Sequence, residues 1–156
     1  MHIATGNDSA NTAVDKPSQY IELVRQLRAL IADEPDRTAN LANASALLFS
    51  TLPQLNWAGF YLLKEGELVV GPFQGKPACV RIAMGRGVCG TAALQRTTLI
   101  VPDVHQFPGH IACDSASNSE IVVPIISTAG ELLGVLDLDS PALGRFDEED
   151  KKGLER

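Results

Sequence analysis

The sequence predicts an α+β domain with a central antiparallel sheet flanked by helices. Two amphipathic helical segments come first, two pairs of strand-like segments follow, and a capped helical segment closes the chain. This order of elements is typical of α+β proteins. The chain has 156 residues, which is the length of one domain. We expect a flexible polar tail at residues 1–17 and a folded domain at residues 18–156.

Two helices are predicted at the start of the domain. Apolar residues recur at helical spacing from Tyr20 to Ile31, and Pro35 prevents that helix from continuing. Asp36 is a suitable N-cap for a second helix, which Pro53 closes. We interpret both helices as a packing layer for the rest of the domain.

The chain then changes from helical spacing to strand-like alternation. Each of two strand pairs is joined by a short turn that contains glycine, which is typical of hairpins. Residues 102–119 form a long irregular segment between the pairs, and long loops inside a domain are often functional. Asp147 is a suitable N-cap for a closing helix. The predicted segments are strands at 56–63 and 67–73, a helical stretch at 91–95, a short strand at 98–101, and strands at 120–127 and 131–140.

Composition argues against several kinds of partner. The net charge is −6, from 13 Lys and Arg against 19 Asp and Glu, and aromatic residues make up 5% of the chain. Such a chain lacks the electrostatic basis for binding nucleic acid or an anionic membrane. No apolar run approaches the ~20 residues of a membrane span, and no signal peptide is recognisable at the N-terminus. We therefore expect a cytoplasmic protein.

The last predicted strand carries two carboxylates. Strand alternation places Leu133, Val135, Asp137 and Asp139 on one face and Leu132, Leu136 and Leu138 on the other. Since both faces are apolar, the strand is expected to be covered on both sides. Burial and like charge would then raise the carboxyl pKa values, so that one carboxyl can serve as a proton donor. The alternative is that the end of the strand is exposed and both aspartates lie in water.

Three cysteines, Cys79, Cys89 and Cys113, allow more than one chemistry. A metal site built from His105, His110 and Cys113 matches no strong motif, and a cysteine hydrolase would use Cys113 with His110. Redox chemistry fits three thiols better, because one thiolate can be oxidised by a substrate and a second can resolve it as a disulfide. By spacing, either Cys79 or Cys89 could approach Cys113.

Six segments of the sequence resemble the free methionine-(R)-sulfoxide reductases, which are enzymes built on a GAF domain. They are GPFQGKPAC at 71–79, GRGVCG at 85–90, DV at 103–104, GHIACD at 109–114, SNSEIVVP at 117–124 and GVLDLDS at 134–140. The resemblance covers roughly residues 18–156 and includes all three cysteines. It implies a GAF fold with a small-molecule pocket, a homodimer, and a terminal helix that is truncated at Arg156. The implied substrate is free L-methionine-(R)-S-oxide.

The resemblance also implies roles for individual residues. Cys113 matches the catalytic cysteine, Cys79 the main resolving cysteine, and Cys89 a third cysteine that can also enter disulfides. Thioredoxin would be the reductant, and no metal or organic cofactor is expected. The pocket would be formed by the carboxyl groups of Glu120, Asp137 and Asp139 and by the aromatic rings of Trp57 and Tyr61.

The chemistry of the residues agrees with these roles. A sulfoxide oxygen is a poor leaving group until it accepts a proton, so a nucleophilic thiolate needs an acid beside that oxygen. Three carboxyl groups in one pocket cannot all stay ionised, so one can hold the proton. The main alternative is a GAF domain that binds a small molecule or senses redox state without catalysis.

Overall fold

The structure is a computed structural model that describes residues 15–110 and 116–155. Its regular elements follow the predicted order of helices, strands and a closing helix. Within the described residues, the helices are α1 (Lys16–Ile31), α2 (Arg37–Thr51), α3 (Gly87–Gln95) and α4 (Glu148–Leu154), with a short 3-10 helix at Val104–Gln106. The strands are β1 (Trp57–Lys64), β2 (Glu67–Gly75), β3 (Arg81–Ala83), β4 (Leu99–Val101), β5 (Ser119–Ile126) and β6 (Leu132–Ser140).

The strands form one six-stranded antiparallel sheet in the order β3-β2-β1-β6-β5-β4. The two hairpins, β1–β2 and β5–β6, meet through the pairing of β1 with β6 at the centre of the sheet. This confirms the predicted α+β fold with an antiparallel sheet. None of the helices in residues 15–110 and 116–155 is long and apolar enough to cross a membrane.

Both faces of the sheet are covered, as the apolar strands predicted. On one face, α1, α2 and α4 pack against a cluster that includes Tyr20, Leu48 and Leu138. On the other face, α3 packs against a second cluster that includes Trp57 and Val135. The functional residues described below lie on the α3 face.

Predicted helix caps are present at both ends of the domain. The Asp36 carboxylate accepts a hydrogen bond from the Ala39 amide, and Asp147 forms a reciprocal capping box with Asp150. The first helix begins at Lys16, two residues before the expected domain boundary. The remainder of the predicted tail, residues 1–14, lies outside the described residues.

The carboxylate of Asp150 connects the first helix to the last. It is 1% exposed and accepts hydrogen bonds from the Tyr20 hydroxyl at 2.7 Å and the Lys16 ammonium at 2.8 Å. Next to it, Gly153 contacts the ring of Tyr20 so closely that a methyl group there would collide with it. This contact holds α1 against α4 on the helical face.

Two local predictions were wrong. The helix expected at residues 91–95 begins earlier, at Gly87, so α3 also contains Cys89. Gly90 is needed in this helix because a side chain there would strike the Ala83 carbonyl. The short strand β3 was not predicted, since three residues give too little alternation to detect.

The alternation predicted for the last strand fails at Leu132. Ile125 pairs with Gly134 but Ile126 pairs with Leu132, so one extra residue of β6 is accommodated between them. This bulge turns Leu132 to the α3 face, where it joins the cluster that contains Val135. The assignment of Leu132 to the face of Leu136 and Leu138 was therefore wrong, while Asp137 lies beyond the bulge and keeps its predicted face.

Candidate active site

A cavity of about 50 Å³ lies between the sheet and the start of α3. Among the described residues, its lining includes both predicted aromatic residues, the three predicted carboxyl groups and one cysteine. These residues are Trp57, Tyr61, Cys89, Glu120, Asp137 and Asp139. The structure thus brings together most of the site residues expected from the sequence.

Strand register explains why three of these residues meet. Asp139 of β6 pairs with Trp57 of β1 on one side and with Glu120 of β5 on the other. Directly opposed residues of an antiparallel sheet project from the same face, so these side chains form a row across three strands. Asp137 lies two residues before Asp139 and therefore shares its face.

Two of the carboxyl groups are deeply buried. Asp137 is 5% exposed and Glu120 is 7% exposed, whereas Asp139 is half-buried. Burial raises the pKa of Asp137 well above its usual value, and the charges of Asp139 and Glu120 raise it further. Burial also raises the pKa of Glu120. The alternative in which both aspartates lie in water is therefore wrong for Asp137, which is suited to hold a proton near neutral pH.

Cys89 is a free thiol in contact with these carboxyl groups. It is 4% exposed, and its Sγ lies 3.7 Å from Glu120 Oε1, to which the thiol donates. Burial raises the pKa of this thiol, and the nearby charges of Asp137 and Glu120 raise it further. Cys89 is consequently a protonated thiol and a poor nucleophile in this environment.

Trp57 and Tyr61 contribute more than an apolar wall. Their rings stack at 5.7 Å between centroids, as expected for aromatic residues on one strand face. In addition, the Trp57 indole donates to the Lys76 carbonyl and the Tyr61 hydroxyl donates to the Cys79 carbonyl, both at 3.2 Å. Both rings therefore hold the loop that carries Cys79. Sequence reasoning missed this role, because it depends on the path of the loop and not on the strand pattern.

Of the two cysteines predicted to carry the redox chemistry, Cys79 and Cys113, the structure describes Cys79. Cys79 is disulfide-bonded, while Cys113 and its neighbours at 111–115 lie outside the described residues. His110 and Ser117, which stand on either side of that segment, both line the cavity. His110 also lowers the pKa of Glu120 through its charge, although burial is the larger effect and raises that pKa.

The metal site considered from the sequence is not the one that the described residues suggest. His105 bonds to Asn118 at 3.2 Å, and its ring lies 6.3 Å from that of His110. The third residue of the site considered from the sequence, Cys113, lies outside the described residues, so that site stays a prediction. Within residues 15–110 and 116–155, the candidate group consists of Cys89, Glu120 and Asp137.

A larger groove of about 560 Å³ lies on the opposite face of the sheet. Leu23 and Leu27 of α1, Leu154 of α4 and apolar residues of the sheet line it. Its described lining contains no cysteine or histidine. The smaller cavity, and not the larger groove, therefore contains the groups suited to redox chemistry.

Fold and site together define a small α+β domain with a thiol- and acid-lined cavity. A profile of the GAF domain matches residues 26–156. The free methionine-R-sulfoxide reductase of Escherichia coli is 55% identical over 141 residues, which cover 90% of this chain and 85% of that protein.

Two solved structures extend the comparison. One is the free methionine-R-sulfoxide reductase of Neisseria meningitidis in complex with its substrate, with a TM-score of 0.88, 49% identity, and coverage of 92% of this chain and 86% of that chain. The other is fRMsr of Staphylococcus aureus in its reduced form, with a TM-score of 0.84, 57% identity, and coverage of 87% and 88%. This chain therefore belongs to the GAF-domain family of free methionine-R-sulfoxide reductases.

Proposed function

We propose that this protein reduces free L-methionine-(R)-S-oxide to L-methionine. The observation that carries the proposal is a buried carboxyl group, Asp137, whose raised pKa equips it to protonate a sulfoxide oxygen inside the cavity. The activity named for the relatives from E. coli and N. meningitidis supports the same reaction.

In the proposed first step, the Cys113 thiolate attacks the sulfur of the substrate while Asp137 donates a proton to the oxygen. The attack forms a bond between the Cys113 sulfur and the substrate sulfur. The protonated oxygen then shifts to the Cys113 sulfur while this sulfur–sulfur bond and the substrate's sulfur–oxygen bond break, so that methionine leaves and Cys113 carries the oxygen as a sulfenic acid. Cys113 is three residues from His110. Even in a fully extended chain, the two residues are therefore no more than about 10–11 Å apart. His110 and Ser117, the residues that stand before and after the segment containing Cys113, both line the cavity. Their positions support the proposed role of Cys113.

In the second step, Cys79 attacks the Cys113 sulfenic acid, which releases water and forms a disulfide. The disulfide-bonded state of Cys79 supports its role as the resolving cysteine. We propose that the disulfide formed in the reaction joins Cys79 to Cys113, and Cys89 is a free thiol in the structure. Cys89 is less suited to resolve the sulfenic acid, because its thiol is buried and protonated.

The cavity also offers groups for holding the substrate. Trp57 and Tyr61 would contact the methylthio end, while Glu120 and Asp139 would accept hydrogen bonds from the ammonium group. A cavity of about 50 Å³ is far smaller than the roughly 300–1,000 Å³ of typical ligand pockets. The disulfide-bonded state is therefore too narrow for the substrate, and we infer that reduction of Cys79 precedes binding.

An external dithiol must restore the two thiols after each turnover. We propose thioredoxin as this reductant, with no metal or organic cofactor in the reaction, and a cytoplasmic location, where such disulfides are kept reduced. The homodimer implied by the family resemblance belongs to the same proposal. Sedimentation equilibrium of the purified chain tests it, and a monomer at micromolar concentration contradicts it.

A coupled assay tests the proposed reaction. The protein is mixed with thioredoxin, thioredoxin reductase and NADPH, and racemic free methionine sulfoxide is added. We expect consumption to stop at about half of the racemate, because only the R epimer reacts, and to fail with a peptide that contains methionine sulfoxide. Cys113→Ser serves as the control that lacks the nucleophile. Activity retained in that variant, or binding without any consumption of NADPH, contradicts the proposal, and the second outcome favours a non-catalytic binding module.

A further inference from the structure

We propose that Cys89, Glu120 and Asp137 form a binding site for a thiophilic divalent cation such as Zn²⁺, and that this cation inhibits the enzyme. The three residues come from α3, β5 and β6, so the fold and not a local loop assembles them. The cation site does not depend on the proposed reaction. Only its inhibitory effect rests on the proposed function.

The distances suit a small cation. One ligand atom from each residue lies within 4.8 Å of the other two, and Cys89 Sγ is 3.7 Å from Glu120 Oε1. A tetrahedral zinc ion with bonds of 2.3 Å to sulfur and about 2.1 Å to oxygen requires these two atoms to be about 3.6 Å apart. Small side-chain adjustments would bring the third ligand into place, and the adjoining cavity has room for a water molecule in the fourth position.

A second observation points to a ligand at this place. Although Asp137 is 5% exposed, its Oδ1 atom has no hydrogen-bond partner among residues 15–110 and 116–155. Buried carboxylate oxygens are nearly always paired, because an unpaired one has lost water without compensation. A cation between the three side chains would supply the missing partner.

The donor set selects the kind of cation. A cysteine thiolate with two carboxylates suits Zn²⁺ or Cd²⁺, whereas Mg²⁺ and Ca²⁺ prefer oxygen ligands only. The ion would occupy Asp137, the proposed proton donor, and Glu120, a proposed substrate contact. It should therefore compete with the sulfoxide for the cavity.

The binding test requires Cys89 to be the sole thiol, because the pair Cys79 and Cys113 could also bind zinc when reduced. In the full chain with Cys79→Ser and Cys113→Ser, titration calorimetry with Zn²⁺ alone should give one ion per chain, and Mg²⁺ should give no signal. Cd²⁺ should produce a thiolate-to-metal absorption band. Adding Cys89→Ala or Asp137→Asn should weaken binding by at least roughly tenfold. Glu149→Gln on the exposed side of α4 is the matched control and should bind normally.

Thermal unfolding establishes that each variant is folded before titration. Zinc affinity that is unchanged by both Cys89→Ala and Asp137→Asn overturns the proposed site, as does the absence of any cadmium–thiolate band. Competitive inhibition of wild-type turnover by Zn²⁺ supports the inhibitory role, and inhibition that excess substrate does not relieve overturns it. A wild-type chain that binds zinc through Cys89 but never consumes the sulfoxide contradicts the proposed function and leaves the cation site established.

Discussion

Replacing Asp137 with asparagine should abolish most activity and yet stabilise the protein. The asparagine keeps the size of the side chain and can donate to Glu120, but it cannot give a proton to the sulfoxide. General acid catalysis typically contributes about 10²- to 10⁴-fold to rate, so methionine release should slow by that factor. The perturbation separates the chemistry of this position from its effect on stability.

The expected gain in stability follows from the burial of Asp137. Folding raises the pKa of Asp137 above its unfolded value of about 3.9. The stabilisation that the protonated group contributes is therefore fully present below that unfolded pKa, and it is lost as the pH rises through the folded pKa. Asparagine does not ionise and therefore avoids this loss. Each unit by which folding raises the pKa of Asp137 costs about 1.4 kcal/mol of stability once the pH exceeds that folded pKa. At about 2–4 °C per kcal/mol, the melting temperature should rise by at least about 2 °C near neutral pH.

Thermal unfolding at pH 5 and pH 8, together with single-turnover release of methionine, measures both effects. The difference in melting temperature between Asp137→Asn and the wild type should be larger at pH 8, because the buried Asp137 carboxyl group destabilises the wild type more at the higher pH. Asp139→Asn is the control, because that half-buried carboxylate is expected to give a smaller gain. Full activity in Asp137→Asn, or an equal drop in melting temperature at both pH values, would refute the reasoning.

Three further substitutions test the contacts around the site and between the helices. Tyr61→Phe keeps the aromatic wall but loses the hydrogen bond to the Cys79 carbonyl. Rapid-quench analysis should show methionine release at the wild-type rate and disulfide formation slowed by about fivefold. If the variant keeps the wild-type rate in both steps, Tyr61 does not position Cys79. Tyr20→Phe removes the 2.7 Å hydrogen bond to buried Asp150 and should lower the free energy of unfolding in urea by about 1–3 kcal/mol, and an unchanged midpoint would count against that bond. Gly153→Ala forces a methyl group against the Tyr20 ring and should cost about 1–3 kcal/mol in the same assay, whereas a stabilised variant would show that α1 and α4 are not in close contact.

Sequence patterns predicted the main elements because the signals were strong over long segments. Helical spacing and capping residues located α1, α2 and the start of α4, and the apolar runs located the four long strands. The patterns failed where a local contact decided the structure. Leu132 changes face because of a bulge in β6, and Cys89 lies in a helix in which close packing requires a glycine at position 90.

The site was predictable in its members but not in its arrangement. Alternation along one strand placed Asp137 and Asp139 on the same face. The pairing of Asp139 with both Trp57 and Glu120 depends on the register between strands, which a single sequence does not encode locally. For the same reason, the contact between Cys89 and Glu120 had no sequence signal.

Counting free thiols through one turnover tests the central claim most directly. The fully reduced chain has three thiols, and one equivalent of free methionine-(R)-sulfoxide should leave one. Peptide mass spectrometry should then identify a bond between Cys79 and Cys113, with Cys89 still reduced. Release of methionine with all three thiols intact, or a disulfide that includes Cys89 in place of Cys79, would contradict the account.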